Sequence, residues 1–360
     1  MRLRVLIVGL GDLGRHLALH LASAAEVDEL LLAGRSVAEG PALAGLCAAS
    51  GSARVRFIEL DAGRRAAIES LLRRERPALV VQCTSLLSPW FLDNSHTPAA
   101  DTVREAGFAA QVSAQLPLIM NVMEAARTVD FSGPVVNSSY PDVTHAVLGR
   151  LGLAPTVGTG NVSMIRARIC AVLRERLVPS DEQPQPLPLV RVLGHHAHVT
   201  SVVVSRRPAE PDRRPLVYLD ASEEAHELAY AGVPLRSERG LNALSAASAL
   251  PVIRALLPSA EPLRTSVPGP LGMPGGYPVR IADGRIELDL PEGVGVDESV
   301  DFQNRCARFD GVERIAEDGT IVFTEAARAA VRRHAPGLCE PLHPAEAEAR
   351  CRYLLERLGM

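Results

Sequence analysis

The sequence predicts an α/β protein: a doubly wound parallel sheet in the first part of the chain and an α+β half after it. Three observations carry that prediction. Short apolar strand patterns alternate with helical patterns up to about residue 160. The first strand pattern runs straight into Gly-x-Gly-x-x-Gly at Gly9, Gly11 and Gly14. Beyond a proline-rich stretch at residues 178–188 the pattern changes to closely spaced strands ending in a hairpin. With 360 residues the chain has room for two domains, expected at 1–153 and 154–360.

Each element follows from its own residues. Val5-Leu-Ile-Val8 is an apolar run of strand length, and residues 15–24 read as a helix. Between them Gly9 allows a tight turn, Gly11 lets the backbone approach a pyrophosphate, and Gly14 lets helix and strand pack closely. Strand, turn and helix in this order form the dinucleotide-binding fingerprint, so a Rossmann-type nucleotide site is expected, with Asp12 and Leu13 completing its loop. The helix N-terminus would offer unpaired N–H groups to the phosphates. Residues 29–33 make a second buried strand. In NAD sites an acidic residue normally ends this strand; here the chain continues Gly34-Arg35-Ser36. An arginine beside a hydroxyl suits a 2′-phosphate, so NADP is preferred and NAD is the alternative.

Residues 55–60 give a third strand, 64–74 an amphipathic helix and 78–83 a fourth strand that is polar only at its end. Ligands bind at the carboxyl ends of parallel strands, which places Gln82, Thr84 and Ser85 beside a cofactor. Residues 86–98 carry the sole tryptophan, Trp90, and form either a lid or a packed surface loop. A long helical region at 101–128, a short strand at 134–137 ending in Asn137, a helix at 143–151 and another reaching residue 177 complete the first part. In the second part strands are expected at 189–193, 199–205 and 216–220, and helices at 222–230 and 240–257. Asp283-Gly284 turns a hairpin between 278–281 and 285–290. An acidic helix start at 297–299 follows, and 339–360 reads as a terminal helix.

Composition excludes much. The net charge of −4 gives no electrostatic reason to expect nucleic acid or an anionic membrane as partner. No apolar run approaches the roughly 20 residues that span a bilayer. Six cysteines form neither a Cys-x-x-Cys pair nor a zinc spacing, and the first strand starts almost at residue 1. A cytoplasmic protein without signal peptide, disulfide or metal is expected. The chain contains no lysine; all 38 basic residues are arginine. That rules out lysine Schiff bases, the P-loop lysine and the Tyr-x-x-x-Lys pair of short-chain dehydrogenases.

The order of motifs resembles the lactate/malate dehydrogenase superfamily over most of the chain, to about residue 315. The elements that carry the resemblance are the glycine fingerprint, Val135-Val136-Asn137 followed by Asp142-Val143-Thr144, Thr156-Val-Gly-Thr-Gly160, Val192-Leu-Gly194-His-His196-Ala-His198, and the run from Gly240 to Leu290. The resemblance implies a C-terminal α+β catalytic domain of that type. It makes His196 the proton donor to a carbonyl, a task suited to imidazole near neutrality. The aspartate that orients this histidine in the family would fall at Met164 or Ser163, and no carboxylate lies between Gly160 and Arg174, so it is missing or supplied elsewhere. Arg166 and Arg168 lie near the position of the substrate-carboxylate arginine. Of two lid arginines Arg104 is present, and Phe108 takes the other place. Asn137 could donate to the carbonyl or the nicotinamide, and Asn242 stands near the substrate.

These features imply an NAD(P)-dependent oxidoreductase. It would transfer hydride between nicotinamide and a carbonyl or alcohol carbon of a small molecule other than pyruvate or oxaloacetate. The alternatives are an imine reductase or opine-type dehydrogenase, or a catalytically silent nucleotide-binding protein. The family's habit implies a homodimer. Two further clusters have plain readings. On a strand, His196 and His198 would share a face and with Asp142 or His145 could hold zinc, but one catalytic histidine with flanking neighbours is preferred. Without a lysine to lower the tyrosine, Ser138-Ser139-Tyr140 reads as a loop bordering the cofactor.

Overall fold

The computed structural model describes residues 3–177, 186–205, 213–236 and 240–360. The apolar run at the start becomes a central strand, β1 (Arg4–Val8), with Val5 to Val8 almost wholly buried, as a strand covered by helices on both faces requires. The alternation continues as α1 (Asp12–Ala22), β2 (Glu29–Gly34), α2 (Gly40–Ser50), β3 (Arg54–Glu59), α3 (Arg65–Glu75) and β4 (Leu79–Gln82). After α4 (Pro98–Glu105) and α5 (Val112–Thr128) come β5 (Val135–Asn137), α6 (Pro141–Arg150), β6 (Val157–Gly158) and α7 (Val162–Leu177). The six strands pair in parallel in the order β3-β2-β1-β4-β5-β6. The strand order reverses between β1 and β4, which opens a crevice at their carboxyl ends.

The second part is built from antiparallel pieces. Strands β7 (Val190–Leu193), β8 (Leu216–Leu219) and β9 (Glu223–Glu224) form one small sheet. Helix α8 (Leu241–Ala255) precedes β10 (Leu263–Pro268), β11 (Gly276–Ala282) and β12 (Arg285–Leu288), which form a second. Asp283 (φ 52) and Gly284 (φ 71) make its hairpin turn, the left-handed pair that Asp-Gly accommodates. Helix α9 (Val296–Ala307), the hairpin β13 (Val312–Ile315) and β14 (Ile321–Phe323), α10 (Glu325–Val331) and α11 (Ala347–Arg357) end the chain.

Two cores flank the parallel sheet. On one face Ala246 and Ile253 of α8 and Val279 of β11 pack with Val5, Ile7 and Leu32. On the other, α5 packs with Leu6 and Val8 and is covered in turn by Leu354 of α11. The C-terminal segment thus returns to the first half of the chain. The expected boundary at 153/154 falls just before β6, which completes the first sheet.

Several elements differ from the sequence expectation. The region 101–128 is not one helix: Gly107, at φ 91, separates α4 from a 3-10 turn (Phe108–Gln111) and α5. Residues 199–205 are not a strand. The chain turns directly after β7, His198 N–H donating to His195 O and Val199 N–H to His196 O at 2.9 Å, and Thr200–Ser205 is helical. Burial of Val202 and Val203 against Ile165 and Ile169 of α7 outweighs their β propensity. Residues 222–230 form β9 and a 3-10 turn rather than a helix, because Glu223 and Glu224 pair with β8. Helix α2, short and without an amphipathic stripe, was not anticipated. Most of the proline-rich stretch 178–188 lies outside the described residues, as does Arg239.

Candidate active site

A cavity of about 1300 Å³ opens at the carboxyl ends of the parallel strands and runs from the glycine loop to His196. That volume exceeds the roughly 300–1,000 Å³ of a typical small-molecule pocket and suits two ligands side by side. The glycines act as their spacing implies. Gly9 sits at φ 100, and a Cβ there would lie 2.9 Å from the backbone of Cys83; a Cβ on Gly14 would lie 2.0 Å from Gly9 O. A Cβ on Gly11 would meet nothing within 4 Å, so the loop is open where a pyrophosphate would approach. The loop, the unpaired N–H groups of α1 and the adjoining space fit a dinucleotide.

Asp12, Leu13, Thr84 and Ser85 line the cavity, as do Arg35 and Ser36 after β2. Arg35 is exposed, and among the described residues its guanidinium has no partner; Ser36 Oγ accepts the Glu39 N–H at 3.2 Å. Gln82 is buried and turns its amide to Thr84 instead. The Trp90 loop also lines the cavity. Trp90 Nε1 donates to Asn242 Oδ1 at 3.2 Å, and Asn242 Nδ2 donates to Asp12 Oδ2 at 2.7 Å, so loop, α8 and glycine loop are tied together.

At the far end stands His196. Its backbone N–H donates to Asp142 Oδ1 at 2.8 Å, and Asp142 also accepts from Asn161 Nδ2. Its Nδ1 lies 2.8 Å from Oδ2 of Asp310. The carboxylate absent from α7 is therefore present, supplied by the turn after α9. The sequence signal was slight: Arg308-Phe-Asp-Gly311 reads as an ordinary turn. Packing makes it specific. A Cβ on Gly107 would lie 2.4 Å from Asp310 O, and one on Gly311 would lie 2.5 Å from Ala106 O, so the two turns meet backbone to backbone. This contact also sets Phe108 against the His196 ring, centroids 4.3 Å apart.

Electrostatics follow from this geometry. Burial would raise the Asp310 carboxyl, but the charges and hydrogen bonds of His196 and His195 outweigh it and hold it well below its usual range. For His196, burial pulls down, while the Asp310 charge and hydrogen bond outweigh it and raise the imidazole above its ordinary value. With Nδ1 on Asp310, Nε2 is the nitrogen without a partner among the described residues, and the ring borders the cavity.

Other expected site residues lie elsewhere. Asn137 is fully buried: Oδ1 accepts the Ser139 N–H at 3.0 Å and Nδ2 donates to Ser139 O and Thr144 Oγ1 at 3.3 Å. It shapes the 138–140 loop from behind and does not line the cavity. Arg166 donates to Val190 O (3.0 Å) and Arg264 O (3.3 Å), and Arg168 to Val202 O (2.5 Å) and Val233 O (2.6 Å). Both brace loops and strands of the second part, where backbone carbonyls need donors, and neither lines the cavity. Arg104 does line it, but donates to Leu92 O and Ser95 O and pairs with Asp101.

His195 and His198 are buried, and because the chain turns they do not extend β7 as a strand would. His198 Nδ1 accepts the His195 N–H at 2.9 Å, and burial lowers the His198 imidazole to about 3. Among the described residues no three potential ligands gather closely enough to hold a metal ion.

Sheet order, glycine loop and crevice define a Rossmann-type α/β protein whose cavity carries a histidine–carboxylate pair at its inner end. No protein-family model matches the chain, and no curated protein matches it in sequence. Among solved structures it is similar to a lactate dehydrogenase from a Medee basin deep-sea metagenome library, with TM-score 0.47 and 13% identity over 86% of this chain and 97% of that one. It is also similar to the malate dehydrogenase of Salinibacter ruber, with TM-score 0.49 and 14% identity over 85% of this chain and 95% of that one. At this level of likeness the site's own geometry has to carry the functional argument.

Proposed function

We propose that the chain is a nicotinamide-dependent oxidoreductase that interconverts a carbonyl and an alcohol on a small molecule. The carrying observation is the His196–Asp310 pair, 2.8 Å apart, in one cavity with an open glycine loop at a helix N-terminus. When bound, the nicotinamide cofactor supplies or accepts the hydride. His196, held protonated by Asp310, gives its Nε2 proton to the carbonyl oxygen on reduction and takes one from the hydroxyl on oxidation. With its carboxylate in place the histidine has what an acid–base role needs, which weighs against a silent nucleotide-binding protein.

Arg35, without a partner among the described residues, and the absence of a carboxylate at the end of β2 favour NADP over NAD. The substrate is read as uncharged. The lining shared with His196 includes the apolar Phe108, Met164, Ala197, Val199 and Phe309 beside the uncharged polar Gln111, Asn161 and Thr200, and Arg104, Arg166 and Arg168 are engaged with the protein itself. Arg213, whose guanidinium lies over Phe309, does not line the cavity, so a carboxylate placed there would lose its hydration without a cation to offset it. We read the protein as a cytoplasmic homodimer with neither nucleic acid nor membrane as partner. Among the described residues no helix is long and apolar enough to cross a membrane.

Fluorescence titration with NADPH and NADH, on the wild type and on His196→Ala, tests the reading. Both proteins should bind NADPH with equal affinity, and only the wild type should oxidise it with an uncharged aldehyde or ketone. Absence of saturable binding of either nucleotide would sink the proposal, and so would turnover that is indifferent to His196.

A further inference from the structure

Tyr140 occupies a conformation that its residue type disfavours. It starts α6 at φ 45 and ψ 55, the left-handed region where a bulky L-residue is strained. Glycine or asparagine would sit there more easily. Yet the side chain is 4% exposed and reaches a residue 170 positions away: its hydroxyl donates to Asp310 Oδ2 at 3.0 Å. That is the same oxygen that meets His196 Nδ1 at 2.8 Å. The phenol ring stands nearly edge-on to both His196 and Phe108, at 5.2 and 4.7 Å between centroids. Burial and the charges of Asp310 and Asp142 keep the phenol protonated, so it stays a donor.

We propose that Tyr140 is a positioning residue that acts on His196 through Asp310. Its hydroxyl fixes the carboxylate against Nδ1, which leaves Nε2 as the nitrogen that serves the cavity. It also draws charge from Oδ2. A carboxylate without that second donor is a stronger partner for the imidazolium and holds its proton more firmly. The hydroxyl thus tempers how firmly His196 holds its proton. The contact itself does not depend on the oxidoreductase reading; only its consequence for turnover does. The other titratable groups around the pair are Asp142 on α6, His195 and His198 after β7, Tyr277 on β11, Cys306 on α9 and Arg213 before β8, whose guanidinium lies over Phe309. Of these, among the described residues, only His195 reaches Oδ2, with its Nδ1 at 3.4 Å.

Histidine ring resonances followed by NMR across pH test this without cofactor or substrate, His196→Ala assigning the signal. Asp310→Asn should lower the His196 midpoint by about one unit, the effect of losing an adjacent opposite charge. Tyr140→Phe, which keeps the ring and its packing, should move it the other way, upward by some tenths of a unit. A merely structural loosening would move it down, as Asp310→Asn does. A midpoint unchanged or lowered in Tyr140→Phe overturns the proposal. Should that variant not fold, replacing all five tyrosines of the wild type with 3-fluorotyrosine serves instead. The more acidic phenol donates more strongly, so the His196 midpoint should fall; no fall overturns the proposal. A protein that turns over with nicotinamide but shows no such shifts would lose only the role of Tyr140. One that shows the shifts but binds no nicotinamide would lose only the proposed function.

Discussion

The two ends of the cavity are made in different ways. The glycine-loop end is continuous in sequence: residues 9 to 14 form the turn, and Arg35 follows from the next strand. The histidine end is assembled from Phe108, Tyr140 with Asp142, His196 and Asp310, which come from four separated segments. A continuous motif can be read from spacing, because the backbone itself delivers its parts. An assembled one depends on packing between segments whose local sequences say nothing of each other. Asp310 reaches His196 only because the turns at Gly107 and Gly311 meet backbone to backbone.

If the two ends are separable, they should fail separately. The largest effect is expected at the assembled end. Asp310→Asn should lower turnover by about two to four orders of magnitude, the scale of a lost acid–base partner, while NADPH affinity stays within about twofold. Steady-state kinetics beside fluorescence titration would show this, and a matching loss of affinity would mean that the ends are coupled.

Within the continuous end, two glycines should part company. The Cβ of Gly14→Ala would collide with the Gly9 carbonyl, so urea unfolding should show a loss above about 2 kcal/mol. Gly11→Ala has open space and should unfold as the wild type does, yet bind NADPH at least roughly tenfold more weakly, since the methyl stands where the pyrophosphate would approach. Equal stability of the two variants would contradict the close packing at Gly14.

Arg35→Ser should weaken NADPH roughly ten- to a hundredfold, the worth of one or two hydrogen bonds to a charged group, and leave NADH unchanged. Equal weakening of both nucleotides would argue against a 2′-phosphate contact.

The smallest effect is on stability against pH. Burial lowers His145 to about 4 and His198 to about 3, from an ordinary 6.5. Below 6.5 the unfolded chain therefore binds protons that the folded one refuses, and stability falls as pH drops toward 4 and below. The depressed Asp310 adds a loss at still lower pH, as it is protonated. The raised His196 acts in the opposite sense: its contribution is present below 6.5 and fades as pH rises through its folded value. Urea midpoints at pH 7 and pH 5 would show the net effect, expected as a lower midpoint at pH 5. Equal midpoints would mean that the buried histidines are not the dominant groups.

Much of the fold is legible in the sequence. Strands β1 to β5, the glycine loop, Arg35 after β2 and the Asp283-Gly284 hairpin follow from local periodicity and turn chemistry. The misreadings share a cause. Residues 199–205 look like a strand because valine favours strands, but burial against α7 bends them into a helix. Asn137 looks like a site residue because of its position, and Arg166 and Arg168 because they lie near one, but each is drawn away by backbone groups that need partners.

What the sequence determined by itself is the Rossmann sheet, the loop at its first turn and a histidine at position 196, because strand pattern, glycine spacing and residue type act over short distances along the chain. What only the tertiary structure decided is the partner of that histidine. Nothing within the segment around His196 supplies its orienting carboxylate. It comes from a turn 114 residues on, whose place is set by two glycine turns pressed together and by a tyrosine held against its own backbone preference.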